Sequence, residues 1–224
     1  MRIVLRIGGS VVASPVNPEL IGEYVEMIKT LRRRGHQVCV VVGGGELARN
    51  FIDVARSMGL KEKAQDEIAI SASRIYAQLF LKGVGSAGCD GVSVSIEAAT
   101  ECVGRGKIAV MGGLKPGMTT DAVAALVADA LRADLLLKAT NQEGIFDKDP
   151  TKYPDASRLD HVRLKDLNRV CAEDKHRAGI HQIIDPEAIR ILQQAKVKVV
   201  VVNGFKPENV LMAIEGQRVG TLID

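Results

Sequence analysis

The stretch VMGGLKPGMTTD, Val110 to Asp121, runs into the apolar-periodic segment Ala122 to Leu131, and its reading decides the fold. An apolar strand enters a Gly-Gly turn, passes a lysine and a second glycine, and starts a helix at Thr119, Thr120 and Asp121. Working outward, two more apolar runs end in glycine turns: Leu5 to Ser10 (LRIGGS) and Val41 to Gly45 (VVGGG). Strands are expected at Ile3 to Ile7, Gln37 to Val42, Lys107 to Met111, Asp134 to Ala139 and Val197 to Val202, with a last one at Arg218 to Ile223. The first five are continuous in apolar residues, the pattern of strands covered on both faces. Alternation with longer segments of helical period gives an α/β class with a mostly parallel sheet, expected as one domain over 1–224.

The helices carry start and stop signals. Asn17 stands before Pro18, apolar residues recur at Leu20, Ile21, Tyr24, Val25, Ile28 and Leu31, and Gly35 follows the end. Asp185-Pro186 and Lys206-Pro207 open two further helices in the same way, and Glu46 to Met58 and Gln65 to Leu81 supply others. Lys82 to Gly106, with Gly83, Gly85, Gly88 and Gly91, reads as a glycine-rich connection.

Composition removes several function classes. The net charge is only +3 and the basic residues are spread, except for Arg32-Arg33-Arg34, which falls where cations complement the end of a helix. At 3% aromatic residues, the stacking platforms of nucleic-acid binders are hard to assemble, so no nucleic-acid polymer is expected as a partner. Cys39, Cys89, Cys102 and Cys171 form no Cys-x-x-Cys pair and read as reduced thiols of a cytoplasmic protein. No apolar run suits a signal peptide or a membrane span, which again points to the cytoplasm. His36, His161, His176 and His181 are scattered without a carboxylate pair at ligand spacing, so no protein-built metal cage is expected. A hydrolytic triad is not legible either.

In a parallel sheet the turns that follow the strands gather along one edge, where such proteins bind ligands. At Gly8-Gly9-Ser10 the backbone can approach a phosphate and the serine hydroxyl can donate to it, although a tight turn with a serine cap has the same sequence. Gly43-Gly44-Gly45 leads straight into a helix, whose N-terminus suits an anion, with Arg49 one turn in, either reaching phosphate or solvated. Neither cluster follows the G-x-G-x-x-G of dinucleotide folds or the G-x-x-x-x-G-K-[ST] of P-loops. Lys115 and the Thr119-Thr120-Asp121 start suit a third anion site, although Thr and Asp at a helix start also read as a plain cap. In the fourth turn, Lys138 to Pro150, Thr140 and Asn141 can bond a base or ribose, Phe146 can cover a ring, and Asp149 can accept from hydroxyls. Phosphoryl transfer asks mainly for cations and positioning, and Arg6, Lys115 and Lys138 stand on or beside these loops, although Lys138 at a strand end equally fits an edge residue that stays wet.

With these loops in hand the chain resembles the amino-acid kinase family, and within it the archaeal uridylate kinases. The likeness covers nearly the whole length. It rests on IGGS at Ile7 to Ser10, VVGGGxxAR at Val41 to Arg49, VMGGxxPGxTTDAVAA at Val110 to Ala125, and TNxxGIFxxDP at Thr140 to Pro150. The resemblance implies a three-layer αβα sandwich that moves the γ-phosphoryl of MgATP to UMP in pyrimidine biosynthesis, typically as a homohexamer. It further implies that Gly9, Ser10, Gly45 and Arg49 hold ATP phosphates, while Thr140, Asn141, Phe146 and Asp149 hold the adenosine. Gly44, Asp66 and the run Leu114, Lys115, Pro116, Gly117, Met118, Thr119 and Thr120 would hold UMP, with Asp66 on the ribose hydroxyls. Arg6 and Asp121 would be catalytic, magnesium would come with the ATP, and Asp121 would orient cations or hold the helix start. Many family members have Lys where this chain has Arg6, and Tyr where it has Phe146. Two other readings stay open. One is a relative phosphorylating a carboxylate, carbamate or isopentenyl phosphate, and the other is a nucleotide sensor without catalysis.

Overall fold

A computed structural model describes residues 1–167 and 184–224. The chain alternates strands and helices: β1 (Arg2–Ile7), a short α1 (Gly9–Val12), α2 (Pro18–Arg33), β2 (Gln37–Val42), α3 (Gly45–Ser57) and α4 (Glu62–Val84). There follow α5 (Ile96–Gly104), β3 (Ala109–Met111), α6 (Thr120–Ala130) and β4 (Leu135–Thr140). The small strands β5 (Ile145–Phe146), β6 (Arg158–Leu159) and β7 (His161–Val162) precede α7 (Pro186–Ala195), β8 (Val199–Asn203), α8 (Glu208–Ile214) and β9 (Thr221–Ile223).

The main sheet has seven strands in the order β3-β2-β1-β4-β8-β9-β7, parallel except where β9 runs against β8. Because side chains alternate along a strand, each strand feeds two cores. Val4, Cys39, Val41, Leu136 and Val199 face α5, α6 and α7, and Ile3, Leu5, Ile7, Val40, Leu137 and Val200 face α2, α4 and α8. The result is the expected three-layer αβα sandwich. No helix among the described residues is long and apolar enough to cross a membrane.

From β1 the chain steps outward through β2 to β3, then returns to the other side of β1 with β4 and continues to β8. That reversal between β1 and β4 is a topological switch point, where the turns after the strands part and leave a crevice.

Local signals behave as their chemistry requires. Asn17 Oδ1 accepts from Leu20 N at 3.0 Å to cap α2, and Gly35 takes φ +83° behind it. Asp185 caps α7 with Pro186 in its first turn, but Pro207 flanks α8 as its cap residue instead of entering the first turn. The connection expected over Lys82 to Gly106 contains α5, capped by Ser95 Oγ accepting from Ala98 N at 3.1 Å. Its apolar face, Ala99, Cys102 and Val103, is short and follows a run of glycines, which masked the period.

The expectation of reduced thiols is corrected at one pair: Cys89 and Cys102 form a disulfide. The cause is topological, since Cys89 N donates to Ile108 O and Lys107 N donates to Cys102 O, each at 3.2 Å, so both cysteines meet at the entrance to β3. Cys39 is a buried free thiol in β2, and Cys171 lies outside the described residues.

Candidate active site

Register assembles the charged centre. Arg6 of β1 and Lys138 of β4 are ladder partners, and alternation turns both toward the layer that holds Val4, Leu136 and α6. Asp121 stands in the first turn of α6 above them. Arg6 Nε lies 2.7 Å from Asp121 Oδ1, and Lys138 Nζ donates to Asp121 Oδ2. The Arg6–Asp121 contact is an ion pair without hydrogen-bond alignment, so both atoms stay buried without a hydrogen-bond partner among the described residues. Arg6 Nη2 donates to Thr120 Oγ1 at 3.0 Å.

Lys138 is 4% exposed and not the wet edge residue its strand-end position allowed. Burial pushes its ammonium down to about 8, with the Asp121 carboxylate opposing that shift. At Asp121 burial works to raise the carboxyl, but the Arg6 and Lys138 charges outweigh it and hold the group below its ordinary range.

The four turns line the switch-point edge in the order set by β3, β2, β1 and β4, and two clefts open there. A larger cleft of about 540 Å³ carries Gly9, Ser10, Gly45 and Arg49 on one side and Thr140, Asn141, Phe146 and Asp149 on the other. A second, of about 420 Å³, is lined by Asp66, Lys115, Gly117, Met118 and Thr119. Gly44 and Thr120 belong to both, and Arg6, Asp121 and Lys138 line the larger cleft at that junction.

The glycines serve the cleft floor first. A Cβ on Gly9 would lie 2.1 Å from Gly45 N, so the β1 and β2 turns pack backbone against backbone, and Gly45 has φ +58°. Asp66, which nothing local in the sequence singled out, accepts from Gly117 N at 2.7 Å and so tethers the loop after β3 to α4. Ser73 and Arg74 tether the same loop, Ser73 Oγ accepting from Gly113 N at 2.7 Å and Arg74 Nε donating to Gly113 O at 3.1 Å.

Not every expected residue faces a cleft. Leu114 packs against the core on the α6 side, and Leu114 and Pro116 line neither cleft. Asp149 lines the larger cleft but has turned one oxygen inward: its Oδ1 accepts from Thr151 N at 2.9 Å and Thr151 Oγ1 at 2.7 Å. Arg49 Nη2 donates to Ser14 Oγ at 2.9 Å, which holds it over the larger cleft. Asp121 does not cap α6, because Thr119 Oγ1 does so by accepting from Ala122 N at 3.0 Å. His36 and His161 lie away from both clefts, and His176 and His181 are outside the described residues. Among the described residues no group of three or more His, Cys, Asp or Glu could hold a metal ion. The carboxylate at the junction already carries two cations, so the donor set suits an ion that arrives on phosphates.

Known proteins share this architecture. The chain is 41% identical to a uridylate kinase of Methanocaldococcus jannaschii over 226 residues, covering 100% of each, and 36% identical to one of Methanothermobacter thermautotrophicus, covering 100% and 99%. Among solved structures it matches the crystal structure of a uridylate kinase from Archaeoglobus fulgidus with a TM-score of 0.89 at 36% identity, covering 100% of both chains. A UMP kinase from Bacillus anthracis, at 20% identity and a TM-score of 0.81 with 100% and 95% coverage, has the same fold. The amino acid kinase family model matches residues 1–203, and this chain belongs to that family.

Proposed function

We propose that this chain is a cytoplasmic uridylate kinase acting as a single amino-acid kinase domain over 1–224, which transfers the γ-phosphoryl of ATP to UMP and releases ADP and UDP. The observation that carries the reading is the meeting of two clefts at Gly44 and Thr120 beside Arg6, Lys138 and Asp121. The full-length likeness to named uridylate kinases supports UMP as the acceptor.

ATP lies in the larger cleft, its adenosine by Thr140, Asn141 and Phe146 and its phosphates by Gly9, Ser10, Gly45 and Arg49. UMP lies in the smaller cleft, with its ribose by Asp66 and its phosphate facing Lys115 and the start of α6. An oxygen of the UMP phosphate attacks the γ-phosphorus, forming the new O–P bond as the bond to the β-γ bridging oxygen breaks and ADP leaves. That nucleophile is already ionised, so no general base is required. Asp121 holds Arg6 and Lys138 in register where negative charge builds up between donor and acceptor, and their positioning supplies most of the catalysis. Magnesium carried on the ATP would supply further charge neutralisation to the transferring group.

The test is coupled ADP release with UMP, CMP and dTMP as acceptors. Turnover with UMP above the others is expected, and turnover with another acceptor while UMP gives only background overturns the assignment. A homohexamer belongs to the same proposal. Phe51 and Val54 on α3 and Met58 just past its end, each at least half exposed, supply apolar surface for an assembly, which light scattering of the purified protein checks.

A further inference from the structure

Asp185 has no place in the reading above, yet its contacts converge on it. Its Oδ1 accepts from Glu187 N and Ala188 N, each at 3.0 Å, and caps α7. Its Oδ2 accepts from Thr119 Oγ1 at 2.5 Å, and the same hydroxyl oxygen caps α6. One carboxylate thus ties the N-termini of two packed helices, whose contact runs through Ala124, Ala188 and Leu192. Its charge also reaches Lys138.

Proton counting gives this tie a consequence. A threonine hydroxyl has one proton to donate. Thr119 spends that proton on Asp185, whereas Thr120 Oγ1 accepts from Arg6 Nη2 and keeps its own proton for a phosphate oxygen. We propose that Asp185 is a positioning residue for phosphoryl transfer: it fixes the first turn of α6 so that Thr120 presents its hydroxyl to the acceptor phosphate and Asp121 stands over Arg6 and Lys138. The proposal rests on the kinase reading above. Among the described residues, the charged groups facing Lys138 are Arg6 from β1, Asp121 from α6 and Asp185 from the turn before α7.

Asp185→Asn separates the tie from the cap. Asparagine still caps a helix through its oxygen, but its amide nitrogen is a donor and cannot accept the Thr119 proton. The variant is expected to melt close to the wild type while kcat with UMP falls about ten- to a hundredfold, the scale of a hydrogen bond to a charged group. The alkaline limb of its pH–rate profile is expected to move to lower pH, because one of the two carboxylates that keep Lys138 protonated is gone. Thr119→Ser alone, which keeps the hydroxyl, should keep wild-type behaviour, and adding Thr119→Val to Asp185→Asn should lower kcat no further than Thr119→Val alone. An Asp185→Asn variant with wild-type kcat and an unmoved pH profile overturns the proposal and leaves Asp185 as a helix cap. If the wild type prefers another acceptor, the UMP assignment falls, and the same variants measured with that acceptor still decide the role of Asp185. A wild type that phosphorylates no acceptor overturns both.

Discussion

At the scale of single residues, the cluster of Arg6, Lys138 and Asp121 separates stability from catalysis. Asp121 is only 12% exposed at its side chain and neutralises two cations, so Asp121→Asn leaves buried positive charge uncompensated. It should cost about 3 kcal/mol of stability, read by denaturant titration, together with about a hundred- to a thousandfold in kcat. Lys138→Met should behave differently, because it removes a desolvated ammonium and leaves the Arg6–Asp121 pair in place. Turnover should fall on the same scale while the melting temperature holds or rises, and a melting temperature that fell as far as in Asp121→Asn would argue for a purely structural lysine. The pH dependence has a definite sign. Lys138 is charged below about 8 and neutral above it, so kcat should fall as pH rises through that value, while Asp121, held below its usual range, stays ionised throughout. A profile flat to pH 10 would show that the Lys138 charge is not used. The sequence carried a sign of this lysine, one cation straight after the apolar run Leu135 to Leu137 of β4, but not its burial, because the partner lies in another element and only the register joins them.

At the scale of elements, helix starts and parallel strands could be read from the chain because their causes are local: a cap, a proline, an apolar period. Strand ends shifted by a residue or two, as at β4 and β8, since ladder partners and not composition decide where pairing stops. What could not be read were the contacts between elements, namely Asp66 and Arg74 on α4 gripping the loop after β3, and the Cys89–Cys102 bond. The Gly43-Gly44-Gly45 turn shows the same limit. Three glycines suggest phosphate approach, yet Gly44 has φ −81°, and a Cβ there would meet the Ala48 Cβ at 2.6 Å. Gly44→Val should therefore lower the melting temperature as well as abolish turnover, because the start of α3 must shift, and a variant that kept wild-type stability would mean that α3 moves at little cost. The disulfide invites an independent measurement. It closes a loop with a sequence separation of 13, and on chain-entropy grounds its loss in Cys102→Ala should cost up to about 3 kcal/mol in denaturant titrations. An unchanged midpoint in oxidising and reducing buffer, with both thiols alkylated before reduction, would show that the bond does not form.

At the scale of the whole molecule, the chain reversal between β1 and β4 puts the loops after β1, β2, β3 and β4 on one edge. The strand order then fixes their sequence in space, with the loop after β3 farthest from the loop after β4 and the two glycine turns between them. Such a row has a consequence that neither cleft has alone. If both clefts fill at once and meet at Gly44 and Thr120, a single molecule that joins adenosine to uridine through a polyphosphate chain can span them. Its second end then binds at the effective concentration set by the first, and its affinity should exceed that of ATP or UMP alone by about a hundred- to ten-thousandfold. Inhibition should be competitive against ATP and against UMP, because either substrate displaces one end. The same molecule should raise the melting temperature more than ATP and UMP added together at equal concentration, since tighter binding to the native state stabilises it in proportion to the logarithm of the affinity. A conjugate that competes with ATP alone and binds no tighter than ATP would mean that the clefts do not form one continuous site, and the charged cluster at their junction would then need another explanation.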